Sequence, residues 1–142
     1  MKDDPGAACE GGLVVWGRRL QVLDSITQAL GGHAAGAAVV TGSHGGLSAG
    51  RYALEAGVAL AVFNDAGVGL DDAGIAALPL LQAQGIAACT VAHGSARIGE
   101  AASTLATGVI SRANSAAAAL GARPGLPLQG WLQTLPAGTA AC

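Results

Sequence analysis

Three short apolar runs, each of which stops abruptly in glycine and polar residues, constrain the fold of this chain more than any other feature. The runs occupy residues 37–40, 58–63 and 86–91, and the loops that follow them occupy 41–46, 64–69 and 93–99. Continuous apolar runs of this length are typical of parallel strands that helices cover on both faces. Because polar groups follow each run at once, the sequence predicts three strands that deliver functional side chains to one edge of a sheet.

Helical patterns separate these runs. The sequence predicts helices over about 48–56, from Asp71 or Asp72 to about Gln84, and over about 100–120. A glycine follows each of them, as is common where a helix ends. Strands that alternate with helices over short connections indicate a three-layer α/β sandwich. We expect a mainly parallel sheet of four or five strands with a Rossmann-like organisation.

The length of 142 residues predicts a single domain over 1–142. Residues 1–12 are expected to form a flexible arm, and 13–24 either a short hairpin or one bent strand. Asp24 or Ser25 can cap a short helix that runs to Leu30. The segment 122–142 reads as an irregular tail that includes a short helix around 128–135.

Composition restricts the partners of this chain. Charged residues make up only 11% of it, which is sparse for a monomer surface, so we expect a homo-oligomer. The net charge of −2 and the scattered arginines argue against nucleic acid. No apolar stretch is long enough to cross a bilayer. The three cysteines have no paired spacing, which favours reduced thiols and a cytoplasmic location.

The first loop offers a nucleophile and backbone donors. Ser43 follows a strand and precedes a helix, with small neighbours, as a nucleophile elbow requires. His44 is a second catalytic candidate, for proton transfer. Thr41, Gly45 and Gly46 are candidates for substrate binding, since backbone N–H groups at a helix start suit an anion. The alternative is that these residues only form the turn and cap the helix.

The second and third loops add an acid and a histidine. Asp65 follows the second strand and His93 the third, so Ser43, Asp65 and His93 would come together as a catalytic triad. This chain order of serine, acid and histidine resembles that of α/β-hydrolases. The chain is too short for the usual sheet of that fold, so the resemblance is one of chemistry. Asp65 has an alternative role as the start of an Asx-turn.

Three further polar residues are candidates for substrate binding. They are Asn64, Ser95 and Arg97. The Arg97 guanidinium can hold a substrate carboxylate through two hydrogen bonds, so we expect a small anionic substrate. A surface arginine paired with Glu100 or with an acid of the second loop is the structural alternative.

Cofactor motifs are incomplete in this chain. Gly67-Val68-Gly69 begins like a dinucleotide fingerprint, but Asp72 stands in place of the third glycine. The third loop lacks the Lys-Ser/Thr that a triphosphate loop needs. His44, His93 and Asp65 show no metal-ligand spacing, and their assembly would depend on the fold alone. We therefore expect neither a cofactor nor a metal.

The sequence thus predicts a small cytoplasmic enzyme acting on a polar metabolite with a carboxylate, amide or ester group. Hydrolysis through Ser43, His93 and Asp65 is the most concrete mechanism. The alternatives are a lyase or isomerase that uses histidine for acid–base catalysis, or a non-catalytic metabolite-binding subunit of a larger complex. Loss of activity on replacing Ser43 would favour the first.

Overall fold

The structure of the protein is a computed structural model, and it describes residues 13–15 and 18–135. A six-stranded sheet in the order β1 to β6 forms its centre. The strands are β1 Leu13–Val15, β2 Arg18–Leu23, β3 Ala38–His44, β4 Leu60–Asn64, β5 Ala87–Val91 and β6 Ile110–Ala113.

Strands β2 to β5 are parallel, and the two outer strands β1 and β6 run antiparallel to their neighbours. Helices lie between the strands and cover both faces. The predicted three-layer α/β fold with a mainly parallel sheet is therefore confirmed. Of the two alternatives for residues 13–24, the hairpin is correct, since Leu13 pairs with Leu20.

The helices are short. They are α1 Leu47–Ala56, α2 Ala77–Gln82, α3 Ala101–Thr107, α4 Ser115–Ala119 and α5 Leu128–Thr134, with 3-10 helices at Ile26–Ala29 and Leu70–Ile75. Ser25, not Asp24, caps the first 3-10 helix, through a capping box with Gln28. Helix α5 confirms the short helix expected near residue 128. The predicted arm 1–12 and the end of the predicted tail, 136–142, lie outside the described residues.

Alternation along the strands divides the core between the two faces of the sheet. Val39, Ala61 and Phe63 pack against the first 3-10 helix, α1 and α2. Val40, Val62 and Cys89 face α4 and α5, which contribute Ala117, Leu128 and Trp131 to this half of the core. Alanine is the commonest residue type on the buried faces of these helices, and its small side chain lets the helices approach the sheet closely.

The predicted helix over 100–120 is wrong, because β6 interrupts it. Gly108 follows α3, and a side chain there would collide with the Thr104 carbonyl. Val109 and Ile110 come next, and β-branched residues favour the extended backbone. Ile110 is buried in the sheet, and Asn114 then caps α4. Burial of Ile110 in the sheet therefore outweighs the helix propensity of the alanines on either side of β6.

The helix expected from Asp71 or Asp72 to Gln84 is also corrected. Both aspartates have left-handed φ angles, 54° and 58°, and no side chain caps Leu70–Ile75. The α-helix begins only at Ala77, after this irregular segment, and Pro79 lies in its first turn. A proline is tolerated there because the N–H it lacks has no intrahelical partner.

Parallel pairing brings the ends of three strands to one edge of the sheet. His44 is opposite Asn64, and Asn64 is opposite Val91. We call this side the carboxyl edge. Among the helices of the described residues, none is long and apolar enough to span a membrane.

Candidate functional site

A cleft of about 810 Å3 opens at the carboxyl edge, between the loops that follow β4 and β5. Asn64 and Ala66 form one wall of it, and His93, Arg97 and Ile98 form much of the other. The sequence predicted that Asn64, His93, Ser95 and Arg97 belong to one pocket, and all four line this cleft. We call it the His93 cleft.

The His93 imidazole lies beside the Asp65 carboxylate at the edge of this cleft. The imidazole Nδ1 lies 3.7 Å from the carboxylate Oδ1, and the side chains are 67% and 6% exposed respectively. The same Oδ1 accepts hydrogen bonds from the backbone N–H groups of Gly67 at 2.8 Å and His93 at 3.0 Å. The carboxylate is thus fixed by the backbone beneath a histidine whose ring reaches solvent.

The Asx-turn expected at Asp65 is present together with this contact to His93. Its hydrogen bond to the Gly67 N–H closes the turn, and a side chain at position 67 would lie 3.5 Å from the imidazole. Gly67 has a φ of 77°, which also favours glycine. The Asp65 carboxylate therefore closes the Asx-turn and lies beside the His93 imidazole at the same time.

Hydrogen bonds within the loop after β5 make it a rigid wall. The Ser95 hydroxyl donates to the Ala92 carbonyl and accepts from the Val109 N–H. The Thr107 hydroxyl donates to the Ser95 carbonyl at 2.6 Å, and the Ser103 hydroxyl accepts from the Arg97 N–H at 2.9 Å. Ser95 therefore lines the cleft, but its hydroxyl already forms two hydrogen bonds with the backbone.

Arg97 is the fully charged side chain that lines the His93 cleft. It is exposed, and within the part of the chain that the structure describes its guanidinium has no carboxylate partner. The predicted alternative, a pair with Glu100, is therefore not formed. The guanidinium donors of Arg97 are free to meet a ligand.

Asn64 supports the opposite wall. It is fully buried, its side-chain N–H donates to the Ala96 carbonyl at 3.2 Å, and its side-chain oxygen accepts from the Ala66 N–H at 2.8 Å. The amide thus ties the loop after β4 to the loop after β5. This contact sets the width of the cleft. It also occupies an N–H of the Asn64 amide, the side chain that the sequence predicted would bind the substrate.

A run of left-handed residues follows Asp65. Ala66, Gly67, Val68 and Gly69 have φ angles of 51°, 77°, 69° and 76°. For the alanine and the valine this conformation is strained, and most of all for the β-branched valine. A bond from the Gly74 N–H to the Val68 carbonyl at 2.6 Å closes the segment. Strain of this kind clusters at functional sites.

Residues 66–69, which we call the ridge, separate the His93 cleft from a second cleft of about 380 Å3. His44, Gly46 and Ser48 line the second cleft, and Ala66 belongs to both. His44 and His93 therefore lie on opposite sides of the ridge. The two histidines that the sequence placed together occupy neighbouring clefts.

Ser43 is not assembled with His93. Its hydroxyl accepts the Ile26 N–H at 2.9 Å, so it supports the first 3-10 helix. Ser43 is still within β3, which runs to His44, and its φ is not in the left-handed region, so the tight turn of a nucleophile elbow is absent here. No hydrogen bond joins Ser43 to His93 among the residues described.

The other candidates of the first loop are used by the fold. Thr41 is buried, and its hydroxyl donates to the Val62 carbonyl at 2.8 Å and accepts the Ser43 N–H. The Gly45 N–H donates to the Asn64 carbonyl at 2.8 Å. A side chain at Gly45 would lie 2.7 Å from the Gly74 carbonyl, so glycine is needed for close packing. Of the predicted backbone donors, only Gly46 lies at a cleft.

Three residues that shape the site are not among the site residues predicted from the sequence. Ser103 and Thr107 line the His93 cleft from α3, one helical turn apart. The third is Asp24, whose carboxylate accepts the Ala101 N–H at 2.9 Å and joins the end of β2 to the start of α3. The Thr/Ser spacing was visible in the sequence, whereas the contact of Asp24 across 77 positions was not.

Neither a protein family, nor a curated protein, nor a solved structure matches this chain. Within residues 13–15 and 18–135 no group of three His, Cys, Asp or Glu side chains is placed to hold a metal ion. Cys89 lies in the core away from the clefts, and burial raises the pKa of its thiol to about 12. The chemistry of the site therefore depends on Asp65, His93 and Arg97.

Proposed function

We propose that the protein is a small enzyme that uses His93 for general acid–base catalysis on a carboxylate-bearing metabolite. The observation that carries this proposal is the Asp65–His93 pair at the edge of a cleft whose fully charged lining group is Arg97. A histidine, an orienting carboxylate and an anchor for the substrate are the minimal parts of an acid–base site. This favours a lyase or isomerase among the functions that the sequence predicts.

The imidazole performs the proton transfer in this proposal. Nε2 takes a proton from a carbon next to the substrate carboxylate and returns it to the product. Asp65 keeps the ring oriented through Nδ1 and stabilises the imidazolium that forms. The Nδ1–Oδ1 distance of 3.7 Å is longer than a hydrogen bond, and we expect it to shorten when the ring becomes charged.

Arg97 holds the carboxylate of the substrate. Its planar guanidinium matches a carboxylate with two parallel hydrogen bonds. The cleft of about 810 Å3 accommodates a small metabolite. Substitution of Arg97 by Gln is expected to raise KM at least about tenfold and to lower kcat as well, because the electron pair left when the neighbouring C–H bond breaks delocalises into the carboxylate that the guanidinium holds.

Hydrolysis is the second candidate. His93 can equally activate a water molecule that attacks an ester or amide carbonyl. In that case Ser43 has no part in the reaction, because its hydroxyl already accepts the Ile26 N–H. The exposure of His93, 67%, favours access of water and is the observation behind this alternative.

Deuterium incorporation tests the proposal without a known substrate. The protein is incubated in D2O with a panel of 2-hydroxy and 2-amino acids, and proton NMR follows loss of the C2–H signal, the hydrogen on the carbon next to the carboxylate. A parallel assay with p-nitrophenyl acetate measures ester hydrolysis. We expect exchange above the protein-free rate, and an H93Q loss of at least about 100-fold.

H33Q provides the matched control, because His33 is an exposed histidine that lines neither cleft. It should exchange at the wild-type rate. Exchange that survives in H93Q contradicts the proposal. Ester hydrolysis that H93Q abolishes, without exchange on any acid, favours hydrolysis by His93. Binding of an acid in the cleft with neither activity favours a non-catalytic metabolite-binding subunit.

A further inference from the structure

We propose a second binding site, for a carboxylate or phosphate group carried on a small apolar body, between Arg112 and Arg123. Both arginines line a cleft of about 560 Å3 beside α4. The cleft is independent of the proposed function, because none of its lining residues lines the His93 cleft. Strand β6 runs antiparallel to β5, so its end meets the beginning of the parallel strands.

Side-chain contacts of Asn114 place the start of α4, which borders this cleft, near the beginning of β5. Asn114, the residue after β6, accepts the Ala88 N–H and donates to the Ile86 carbonyl, both at the beginning of β5. The candidate catalytic residues follow the ends of β4 and β5 instead. No residue lines both this cleft and the His93 cleft, so a ligand between Arg112 and Arg123 occupies a separate site.

Each arginine is held by one nitrogen only. Nη1 of Arg123 donates to the Ala118 carbonyl at 3.1 Å and the Ala122 carbonyl at 2.9 Å, and Nη1 of Arg112 donates to the Ser111 carbonyl at 3.2 Å. The remaining N–H groups of both guanidinium ions have no protein partner among the described residues. Anchoring at one nitrogen limits the motion of the guanidinium and leaves its other donors for a ligand.

Neither charge is neutralised by the fold. No acidic side chain lines this cleft, and in the described ranges neither arginine forms an ion pair. The described acids lie elsewhere. Asp24, Asp65, Asp71, Asp72 and Glu100 follow strand ends at the carboxyl edge, and Glu55 is on α1, which packs on the other face of the sheet.

The rest of the cleft is apolar and small. Ala118, Ala119, Ala122 and Pro124 form its walls, and Ser115 adds a hydroxyl. Two guanidinium ions suit an oxyanion, since each presents planar paired donors. Methyl groups around them suit an apolar body rather than a second charge. An aromatic or short aliphatic acid, or its phosphate counterpart, therefore fits the lining.

Titration of the full chain with phenyl phosphate and, separately, benzoate tests the site. Arginine labelled with nitrogen-15 gives a separate Nε–Hε signal for each residue, assigned through the R112Q, R123Q and R51Q variants. We expect saturable shifts of the Arg112 and Arg123 signals at constant ionic strength. Comparison of the two ligands assigns the preferred oxyanion, and benzyl alcohol, which is uncharged, should cause no shift.

R51Q is the matched control, because Arg51 is an exposed arginine of α1 that lines none of these clefts. We expect R112Q and R123Q each to weaken binding at least about tenfold and R51Q to leave it unchanged. Shifts of Arg51 equal to those of Arg112 and Arg123 would show non-specific charge binding and overturn the proposal.

The competing explanation is that Arg123 only stabilises the end of α4. In that case R123Q lowers the melting temperature, but phenyl phosphate raises the melting temperature of R112Q as much as that of the wild type. This result, or the absence of saturable shifts with both ligands, overturns the proposal. R112K and R123K keep the charge but lose the paired guanidinium donors. Weaker binding by these variants than by the wild type therefore supports recognition through the paired donors.

Discussion

At the scale of single residues, Val68 is the most strained position near the candidate site. Its φ of 69° is rare for a β-branched residue. We expect V68G to raise the free energy of unfolding by about 1 kcal/mol, because glycine adopts this conformation without steric cost. Chemical denaturation measures the change. V22G is the control, since Val22 lies in an ordinary strand and is 36% exposed. Equal destabilisation by both variants would contradict this account of the ridge.

Ser43 is expected to act in folding rather than in the reaction. Removal of its hydroxyl in S43A leaves the Ile26 N–H without a partner. We expect a loss of about 1–2 kcal/mol in the free energy of unfolding, while deuterium exchange stays within about twofold of the wild type. Denaturation and the exchange assay are run on the same sample. A loss of exchange comparable to that of H93Q would restore Ser43 as a catalytic residue.

Cys89 provides a residue-scale test of the core. Burial raises the pKa of its thiol from the ordinary value of 9.0 to about 12. The thiol therefore stays protonated and inaccessible at pH 8, and we expect iodoacetamide to leave the Cys89 peptide unlabelled in the native protein. Mass spectrometry of labelled peptides distinguishes it from the other two cysteines, Cys9 and Cys142.

The same shift sets a pH dependence. The unfolded thiol loses its proton near pH 9 and the folded one only near pH 12, so the unfolded state binds fewer protons between these values. The stability contributed by Cys89 is therefore lost as pH rises above 9. Alkylation of Cys89 at pH 8 without unfolding would contradict the buried position.

At the scale of elements, Asn114 joins α2, β5 and α4. Its side chain donates to the Leu78 and Ile86 carbonyls and accepts from the Ala88 and Ala117 N–H groups. We expect N114A to lower the free energy of unfolding by at least about 3 kcal/mol, since several buried partners lose their bonds. The exposed neighbour variant S115A should cost under about 0.5 kcal/mol. A cost of N114A as small as that of S115A would show that these bonds are not formed.

The elements that the sequence predicted well are those whose signal is local. The runs that became β3, β4 and β5 are almost entirely apolar before their carboxyl ends, because both of their faces are covered. The error at β6 has the opposite cause. The alanines on both sides of β6 favour a helix. The segment forms a strand only because it packs at the edge of the sheet, where Ile110 is buried. Tertiary contact of this kind has no counterpart in local propensity.

At the scale of the whole molecule, the carboxyl edge of the sheet was predictable and its division into two clefts was not. Parallel topology alone brings Asn64, Asp65 and His93 to one edge. The ridge at residues 66–69 separates His44 from His93, and it depends on left-handed backbone at Ala66 and Val68, which no residue preference predicts. Likewise, the Ser43 hydroxyl accepts the Ile26 N–H of the first 3-10 helix, a contact that sequence spacing does not reveal.

Assembly remains a prediction at this scale. The sparse charge of the chain favours a homo-oligomer, and Leu47, Leu70 and Ile98 are exposed apolar residues around the carboxyl edge. Light scattering coupled to size-exclusion chromatography measures the mass. A mass of one chain, 13.6 kDa, across a range of concentrations would contradict this prediction.

The central claim, that the cleft beside Asp65 and His93 binds a carboxylate through Arg97, is tested most directly by mapping backbone amide shifts. The labelled full chain is titrated with the same panel of acids. The account predicts saturable shifts at residues 64–67 and 93–98 that R97Q abolishes, while any shifts near Arg112 and Arg123 persist in that variant. Shifts at the His93 cleft that R97Q leaves unchanged, or no shifts there with any acid, would contradict it.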